Sequence, residues 1–225
     1  MVNKATILFA RFVIALCIAA GCKQKAPKVP SSEKKMVDNV VNKNNDKETV
    51  RNAQKNLKPV DVISLKEDYR NGLLQFYNES GDVWKSFEVS DTFVDNAIKP
   101  FAQKVENNVL VFRCVGVKGD FYKIIVNEGK KVAKYLRGSS PYFNYETWPE
   151  HILKVFSVDF DDRKNPLRMQ PSSESSRITF NADQFYHPIE IKGEWLKVRD
   201  DDDKEGWVKW RGKDGALIIH LYYDA

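Results

Sequence analysis

The sequence predicts an all-β fold of two small barrels in tandem, with one or two short helices. From Asp61 onward, short apolar segments alternate with polar turns at intervals of about eight to twelve residues, a spacing typical of sandwiches and barrels. Few segments show a sustained helical period, and one stretch of the chain is repeated. The turns combine glycine or asparagine with charged residues and lie at 78–81, 118–120, 127–129, 192–194 and 211–215.

Two short helices are expected between the strands. Thr147 precedes Trp148, Pro149 and Glu150; threonine suits an N-cap, and proline is tolerated in the first turn. A second helix is expected within Ser90–Phe101, where Pro100 limits its length.

The repeat involves a strand, a Lys-Gly-acid turn and a second strand. Val115–Ile124 aligns with Ile189–Val198 at an offset of 74 residues, and Val132–Tyr135 aligns with Trp207–Trp210 at an offset of 75. In both copies the turn glycine is expected to supply the positive φ of a tight hairpin. The chain after residue 60 therefore divides into two related β modules, with the boundary near Leu153.

Three motifs of the second module carry a family resemblance. They are Pro166–Arg168 followed by Gln170–Ser175, then Gly193–Val198, then Gly206–Val208. In this order they resemble the "Leu/Val-Arg-x-x-Pro-Ser" opening, the "Gly-x-Trp-x-x-Val" strand and the closing "Gly-Trp-Val" of bacterial Src-homology-3-like (SH3-like) domains. The resemblance implies a small barrel that binds a cell-wall ligand, and the tail Ala216–Tyr223 is expected to close its sheet.

The first module resembles the same family less closely. It keeps the central hairpin at 118–124, but Ala133 stands where a valine is usual, Tyr135 replaces a tryptophan, and an insertion lengthens the region around 80–108. We interpret it as a diverged relative. Tandem β modules behind a long polar segment are also similar to lipoproteins of the Bacteroides group.

The amino terminus has the features of a secretory signal. Lys4 and Arg11 precede an uncharged run, Phe12–Ala20, of nine residues, which is too short to span a bilayer as a helix, since that takes about 20 residues. The ending Ala19–Cys22 resembles the lipobox of bacterial lipoproteins. That resemblance implies lipid on Cys22, and Lys23 after it implies sorting to the outer membrane, facing the periplasm. An ordinary signal with a coincidental cysteine is the alternative.

Charge is distributed unevenly along the chain. The net charge is +5, yet residues 23–60 hold ten bases and four acids, whereas residues 61–225 hold 24 bases and 27 acids. A folded part without a basic excess argues against nucleic-acid binding. The segment 22–60 lacks aromatic residues and is interpreted as a flexible basic tether. The expected organisation is a signal peptide (1–21), this tether, and modules at 61–153 and 154–225.

No catalytic or metal-binding pattern emerges. Cys114 lies in an apolar strand, where an inert thiol is expected rather than a nucleophile paired with His151, His187 or His220. The acidic runs Asp200–Glu205 and Asp159–Asp162 are expected at turn tips, without the spacing of a calcium loop or the fixed carboxylate pair of a glycosidase. We expect no enzymatic activity, no cofactor and no metal.

Aromatic side chains are the candidates for ligand binding, because they supply contact area at low entropic cost. The predicted ligand-binding residues are Tyr142, Tyr145, Trp148, Tyr186 and Trp210. The expected function is that of a non-enzymatic lipoprotein, held to the membrane by lipid on Cys22, which binds a cell-wall (peptidoglycan) peptide or a protein ligand. The alternative is a protein-interaction lipoprotein that acts as an inhibitor or immunity-type factor.

Overall fold

A computed structural model of the chain describes residues 57–224. Within them lie thirteen β-strands, one α-helix and a short 3-10 turn, which confirms the all-β class. The helix has five residues, and none of the described helices is long and apolar enough to cross a membrane. The predicted signal peptide, the tether and the lipidation residue Cys22 lie outside the described residues.

The first eight strands pair into one antiparallel sheet. Its order is β3-β2-β7-β6-β5-β1-β8, and β4 pairs with β5 beside this path. Residues 105–107, between β4 and β5, form the 3-10 turn. The strands are β1 (Val62–Leu65), β2 (Leu74–Tyr77), β3 (Val83–Phe87), β4 (Ala102–Lys104), β5 (Val109–Lys118), β6 (Phe121–Asn127), β7 (Val132–Arg137) and β8 (Phe143–Glu146).

The first hydrophobic core is formed by side chains of these strands and of the segments that connect them. Alternating residues of β6, such as Tyr122, Ile124 and Val126, are buried, as a sheet with one face on a core requires. Phe76 and Phe112 pack edge to face with ring centroids 5.2 Å apart, a geometry that aromatic pairs prefer. This cluster is drawn from the chain between Val60 and Phe143.

Helix α1 (Trp148–Ile152) follows β8 directly. The Thr147 side chain accepts a hydrogen bond from the amide of Glu150, and the Glu150 carboxylate accepts one from the amide of Thr147. This capping box satisfies amide groups that the start of a helix leaves free. The helix predicted from Thr147 and Pro149 is therefore confirmed.

The helix expected within Ser90–Phe101 does not form. The segment contains turns instead, such as those closed by Phe93 N–H to Ser90 O and Ile98 N–H to Asp95 O. The Asp95 carboxylate also accepts a hydrogen bond from the amide of Ala97. Aspartate side chains that bond nearby amides favour turns over helix interiors.

The remaining strands form two smaller sheets. One has the order β10-β11-β12, and the other pairs β9 with β13. The tail therefore does not close the three-stranded sheet as expected, because His220–Tyr222 pairs with Ser157–Asp159. The strands are β9 (Ser157–Asp159), β10 (His187–Lys192), β11 (Trp195–Arg199), β12 (Glu205–Lys209) and β13 (His220–Tyr222).

The second core contains Leu196, Val198, Val208 and Trp210 among its buried members. Arg168 pairs with Trp207 through two backbone hydrogen bonds of 2.9 and 2.8 Å, so the opening and closing motifs of the second module lie side by side. Within residues 57–224 the strand pairing closes no barrel. The large sheet ends at β3 and β8, and the second core is covered by two separate sheets.

The repeated hairpins form as the sequence predicts. Gly119 and Gly193 have φ values of 56° and 60°, and each is the first residue of a two-residue loop, the place of glycine in a type II′ turn. The following strand corrects the alignment, since Tyr135 lies opposite Lys123 and Trp207 lies opposite Lys197. The structural equivalent of Tyr135 is therefore Trp207 rather than Trp210.

Candidate functional site

A cleft of about 780 Å³ opens in the second module beside β9 and β13. Strand β9 and the turn after it form one side, Tyr222 of β13 borders it, and the segment before β10 forms the other side. We call it the aromatic–acidic cleft. Its lining residues are 157–163, 180, 182, 184–186 and 222.

Aromatic rings form the base and the rim of the cleft. Tyr186 is buried, stacks on Phe180 with centroids 5.3 Å apart and lies 5.2 Å from Phe160. At the rim, Phe185 and Tyr222 remain 47% and 49% exposed. Grouped apolar surface that remains open to solvent beside a cavity is typical of a ligand-binding site.

Carboxylates line the side that follows β9. Asp159 accepts a hydrogen bond from the amide of Phe160 through one oxygen, and Asp162 accepts one from the amide of Leu167. Asp161 forms ion pairs with Arg163 and Lys164. The hydrogen bond from Lys164 is the main reason why the pKa of Asp161 is lowered, so this group is ionised at neutral pH.

Two polar atoms of the lining are buried without a hydrogen-bond partner in the described part of the chain. They are Oγ of Ser157 and Oε1 of Gln184. Ser157 is only 1% exposed and lies opposite Tyr222 in the β9–β13 ladder. An unpaired buried polar atom costs about 1–3 kcal/mol, which a ligand that bonds to it would recover.

The aspartate run after β11 holds the opposite wall in place. Asp201 accepts hydrogen bonds from the amide of Phe185 at 3.0 Å and from His187 at 3.2 Å, and Asp202 accepts one from Gln184 at 2.7 Å. The Phe185 amide is the largest cause of the lowered pKa of Asp201. These carboxylates therefore bind the chain itself, and no group of three potential metal ligands lies together within residues 57–224.

Two of the predicted ligand-binding residues lie in this module. Tyr186 lines the cleft, and its hydroxyl accepts a hydrogen bond from the amide of Asn181. Trp210 is buried at 2% exposure, and its indole donates to the carbonyl of Gly193 at 2.9 Å. The Trp210 ring is therefore core, with no face available to line a groove.

The other three predicted residues lie apart from the cleft. Tyr142 packs edge to face on Tyr69, and the Tyr145 hydroxyl donates to the carbonyl of Ser140. Burial raises the pKa of Tyr145 to about 12. Trp148 lines a separate depression of about 540 Å³ beside the C-terminal tail. The structure thus does not bring the five residues to one groove, and their role in binding stays a prediction.

A buried polar network lies where α1 meets the tail. His151 Nδ1 lies 2.8 Å from a Glu146 carboxylate oxygen, and His151 Nε2 lies 3.0 Å from the Tyr223 hydroxyl. Ser64 donates to Glu146 rather than to the imidazole. Burial alone would raise the pKa of Glu146, but hydrogen bonds from His151 and Lys154 outweigh it and lower the pKa to about 2.

This network lacks an activated nucleophile, although it combines a carboxylate, an imidazole and a phenol. Burial raises the pKa of Tyr223, which is the opposite of what a nucleophilic oxygen needs. Cys114 does not join it. Its thiol donates to the carbonyl of Gly116, and burial raises its pKa as well.

The cleft includes residues that sequence reasoning did not single out. Ser157 and Gln184 gave no signal of their own, whereas Phe160, an aromatic residue inside the acidic run 159–162, is a pattern that could have drawn attention to this wall. No protein-family model matches the chain, and no curated protein is significantly similar to it. The chemistry of the cleft is therefore the basis for assigning a function.

Proposed function

We propose that this protein is a membrane-anchored lipoprotein of the bacterial cell envelope that binds a cell-wall peptide in the aromatic–acidic cleft. The observation that carries the proposal is the cleft itself, which combines exposed rim aromatics with buried polar atoms that have no partner in the described part of the chain. A concave site of this kind binds a ligand through apolar contact and fixes its orientation through a few polar groups.

A peptide suits this lining. Its amides can donate to Gln184 Oε1 and to the Asp159 carboxylate, while side chains can pack against Phe185 and Tyr222. A volume of about 780 Å³ lies within the range of ligand pockets, roughly 300–1,000 Å³. The lipobox-like ending at Cys22 and the SH3-like motifs of the second module support a cell-wall source for the peptide.

The proposed role is binding without catalysis. The cleft contains acceptors and rings but no cysteine, lysine or histidine among its lining residues. The buried carboxylate–imidazole–phenol network, at Glu146, His151 and Tyr223, lines a different cavity. Peptide hydrolysis would need a nucleophile with a base beside it, and no such pair is found among the described residues that line the cleft.

Sedimentation with purified peptidoglycan tests the proposal. The full chain, extracted in a non-ionic detergent, should be found in the peptidoglycan pellet. The double substitution Phe185→Ala with Tyr222→Ala should return it to the supernatant, because it removes both exposed rings of the rim. Met169→Ala is the matched control, since Met169 is an exposed apolar residue of the same module that does not line the cleft.

Two outcomes would overturn the proposal. In the first, the unaltered chain stays in the supernatant at every peptidoglycan concentration. In the second, the double variant sediments as well as the Met169→Ala control while both retain the unfolding midpoint of the unaltered chain. The second result would place wall binding elsewhere on the molecule.

A further inference from the structure

The aromatic–acidic cleft has an excess of negative charge. Three aspartates line it, Asp159, Asp161 and Asp162, against one cation, Arg163. The Arg163 side chain is 95% exposed and contacts only Asp161 at 3.7 Å among the described carboxylates. Arg163 therefore leaves the charge of the other two aspartates uncompensated within the cleft.

The same cleft has more hydrogen-bond acceptors than donors. Asp159 and Asp162 each use one oxygen for a backbone amide, and the other oxygen of each makes no hydrogen bond within residues 57–224. Gln184 Oε1 is buried and unpaired there as well. Ser157, at 1% exposure, adds a hydroxyl without a partner. The Ser157 hydroxyl distinguishes this site from an ordinary acidic surface loop. Buried polar atoms are almost always hydrogen-bonded, so an unpaired one beside the carboxylates points to a missing partner.

The rings of the cleft have no lysine or arginine of the described residues over their faces. Elsewhere in the described residues, lysine and arginine side chains lie over ring faces, as Lys192 does over Trp207 at 5.0 Å and Arg211 over Trp210 at 4.8 Å. None of the five aromatic residues that line the cleft has such a cation above it in this part of the chain. These residues are Phe160, Phe180, Phe185, Tyr186 and Tyr222.

We infer that the cleft takes its ligand by a cationic group, an ammonium or guanidinium, held by Asp159, Asp162 and Gln184 against the aromatic base. Such a group supplies only donors, which match the acceptor excess, and it is attracted to ring faces. This inference rests on the proposed function, since it specifies the ligand of the same cleft. It selects basic peptides, or peptides with a free amino group, over neutral ones.

The test compares two peptides that differ only in one ammonium group. Acetyl-Ala-Lys-Ala-amide and acetyl-Ala-norleucine-Ala-amide are titrated into the full chain in non-ionic detergent, with heat of binding as the readout. The lysine peptide should bind at least about tenfold more tightly, the effect of a charge-assisted hydrogen bond. The double substitution Asp159→Asn with Asp162→Asn should remove this preference, because asparagine keeps an oxygen acceptor for the backbone amide but loses the charge.

Asp203→Asn is the matched control. It removes a charge from an exposed carboxylate that does not line the cleft, so it should keep the preference for the lysine peptide. If Asp203→Asn lowers the preference as much as the cleft substitutions do, then general attraction to an acidic surface explains the binding and the inference fails.

The peptide pair also separates this inference from the proposed function. Equal binding of both peptides by the unaltered chain overturns the cationic preference but leaves peptide binding intact. Tight, selective binding of the lysine peptide by a chain that stays out of the peptidoglycan pellet supports the inference and overturns the cell-wall source. If the substituted chain does not fold, the comparison of the two peptides on the unaltered chain still decides the matter.

Discussion

His151 Nδ1 lies 2.8 Å from Glu146 Oε2, and both side chains are only 6% exposed. The other ring nitrogen of His151, Nε2, lies 3.0 Å from the Tyr223 hydroxyl. Together the two contacts link β8, α1 and the C-terminal tail. Asp224 extends the link, because it forms an ion pair with Lys104 and accepts a hydrogen bond from Asn107. The tail is thus fixed to the first module by polar contacts rather than by strand pairing.

Replacing His151 with alanine should destabilise the protein markedly. The substitution leaves the Glu146 carboxylate with one hydrogen-bond partner fewer and the Tyr223 hydroxyl without its partner. Leaving a buried hydrogen-bonding group without its partner costs about 1–3 kcal/mol. We expect the free energy of unfolding to fall by an amount in that range, measured by urea denaturation with tryptophan fluorescence as the signal.

His220→Ala provides the control, since His220 is exposed on β13. Its free energy of unfolding should stay within about 0.5 kcal/mol of the unaltered chain. Comparable losses in the two variants would show that the His151 network does not fix the junction.

Glu146 should also make stability depend on acid pH. Its folded-state pKa of about 2 lies below the ordinary value of 4.5. Its contribution is therefore fully present above pH 4.5 and is lost as the pH falls towards 2, a difference on the order of 3 kcal/mol. The free energy of unfolding, measured by urea denaturation, should fall less between pH 6 and pH 3 for Glu146→Gln than for the unaltered chain. Glu174→Gln, an exposed carboxylate without an ion pair in the described part, should leave the difference unchanged.

The hairpins of both modules could be predicted because their determinants are local. In both hairpins a Lys-Gly-acid turn lies between two apolar segments, and Gly119 and Gly193 each begin a two-residue loop. The sequence alignment matched Tyr135 with Trp210, which is wrong, because the true equivalence with Trp207 depends on cross-strand register. The hairpin after the shared turn is two residues shorter in the second copy. Lys118 and Lys192 both lie over these rings, at 5.9 and 5.0 Å.

The cleft could be predicted only in part, because it joins residues far apart in the chain. Tyr186 is one of the predicted ligand-binding aromatic residues, and it lines the cleft. Trp210 has the same chemistry, yet its indole finds a carbonyl partner at Gly193 and its ring is core. Ser157 and Tyr222 face each other only because β13 pairs with β9, a long-range pairing that sequence periodicity does not specify.

Replacing the turn glycine of the second hairpin should destabilise the protein. Gly193 has φ +60°, and no neighbouring atom lies within 4 Å of the place that a Cβ atom would take, so alanine would meet backbone strain without a clash. Strain of this kind costs roughly 1–2 kcal/mol. Gly193→Ala should lower the free energy of unfolding by that amount. Gly116→Ala is the control, since Gly116 has equal space but no positive φ, and an equal loss there would contradict the strain argument.

Asp201 should control the order of the cleft rim. It accepts hydrogen bonds from the Phe185 amide and from His187, which fix the segment that carries the exposed Phe185 ring. Asp201→Ala should therefore raise the hydrogen-exchange rate of the Phe185 amide by at least about tenfold, since a segment that has lost this hydrogen bond opens more readily and exposes the amide to exchange. Exchange measured by NMR checks this in the full chain.

Asp183→Ala is the control that separates the loss of the Asp201 hydrogen bonds from the loss of a negative charge. Asp183 is an exposed carboxylate of the same segment, and its side chain makes no hydrogen bond within residues 57–224, so its removal should leave the Phe185 exchange rate unchanged. In the peptidoglycan assay, Asp201→Ala should lower the sedimented fraction although Asp201 does not line the cleft. If Phe185 exchanges faster in both variants, loss of negative charge rather than loss of the hydrogen bond mobilises the rim. If neither variant exchanges faster, the rim is held by its ring contacts, in which the Phe185 ring packs 5.2 Å from Phe156.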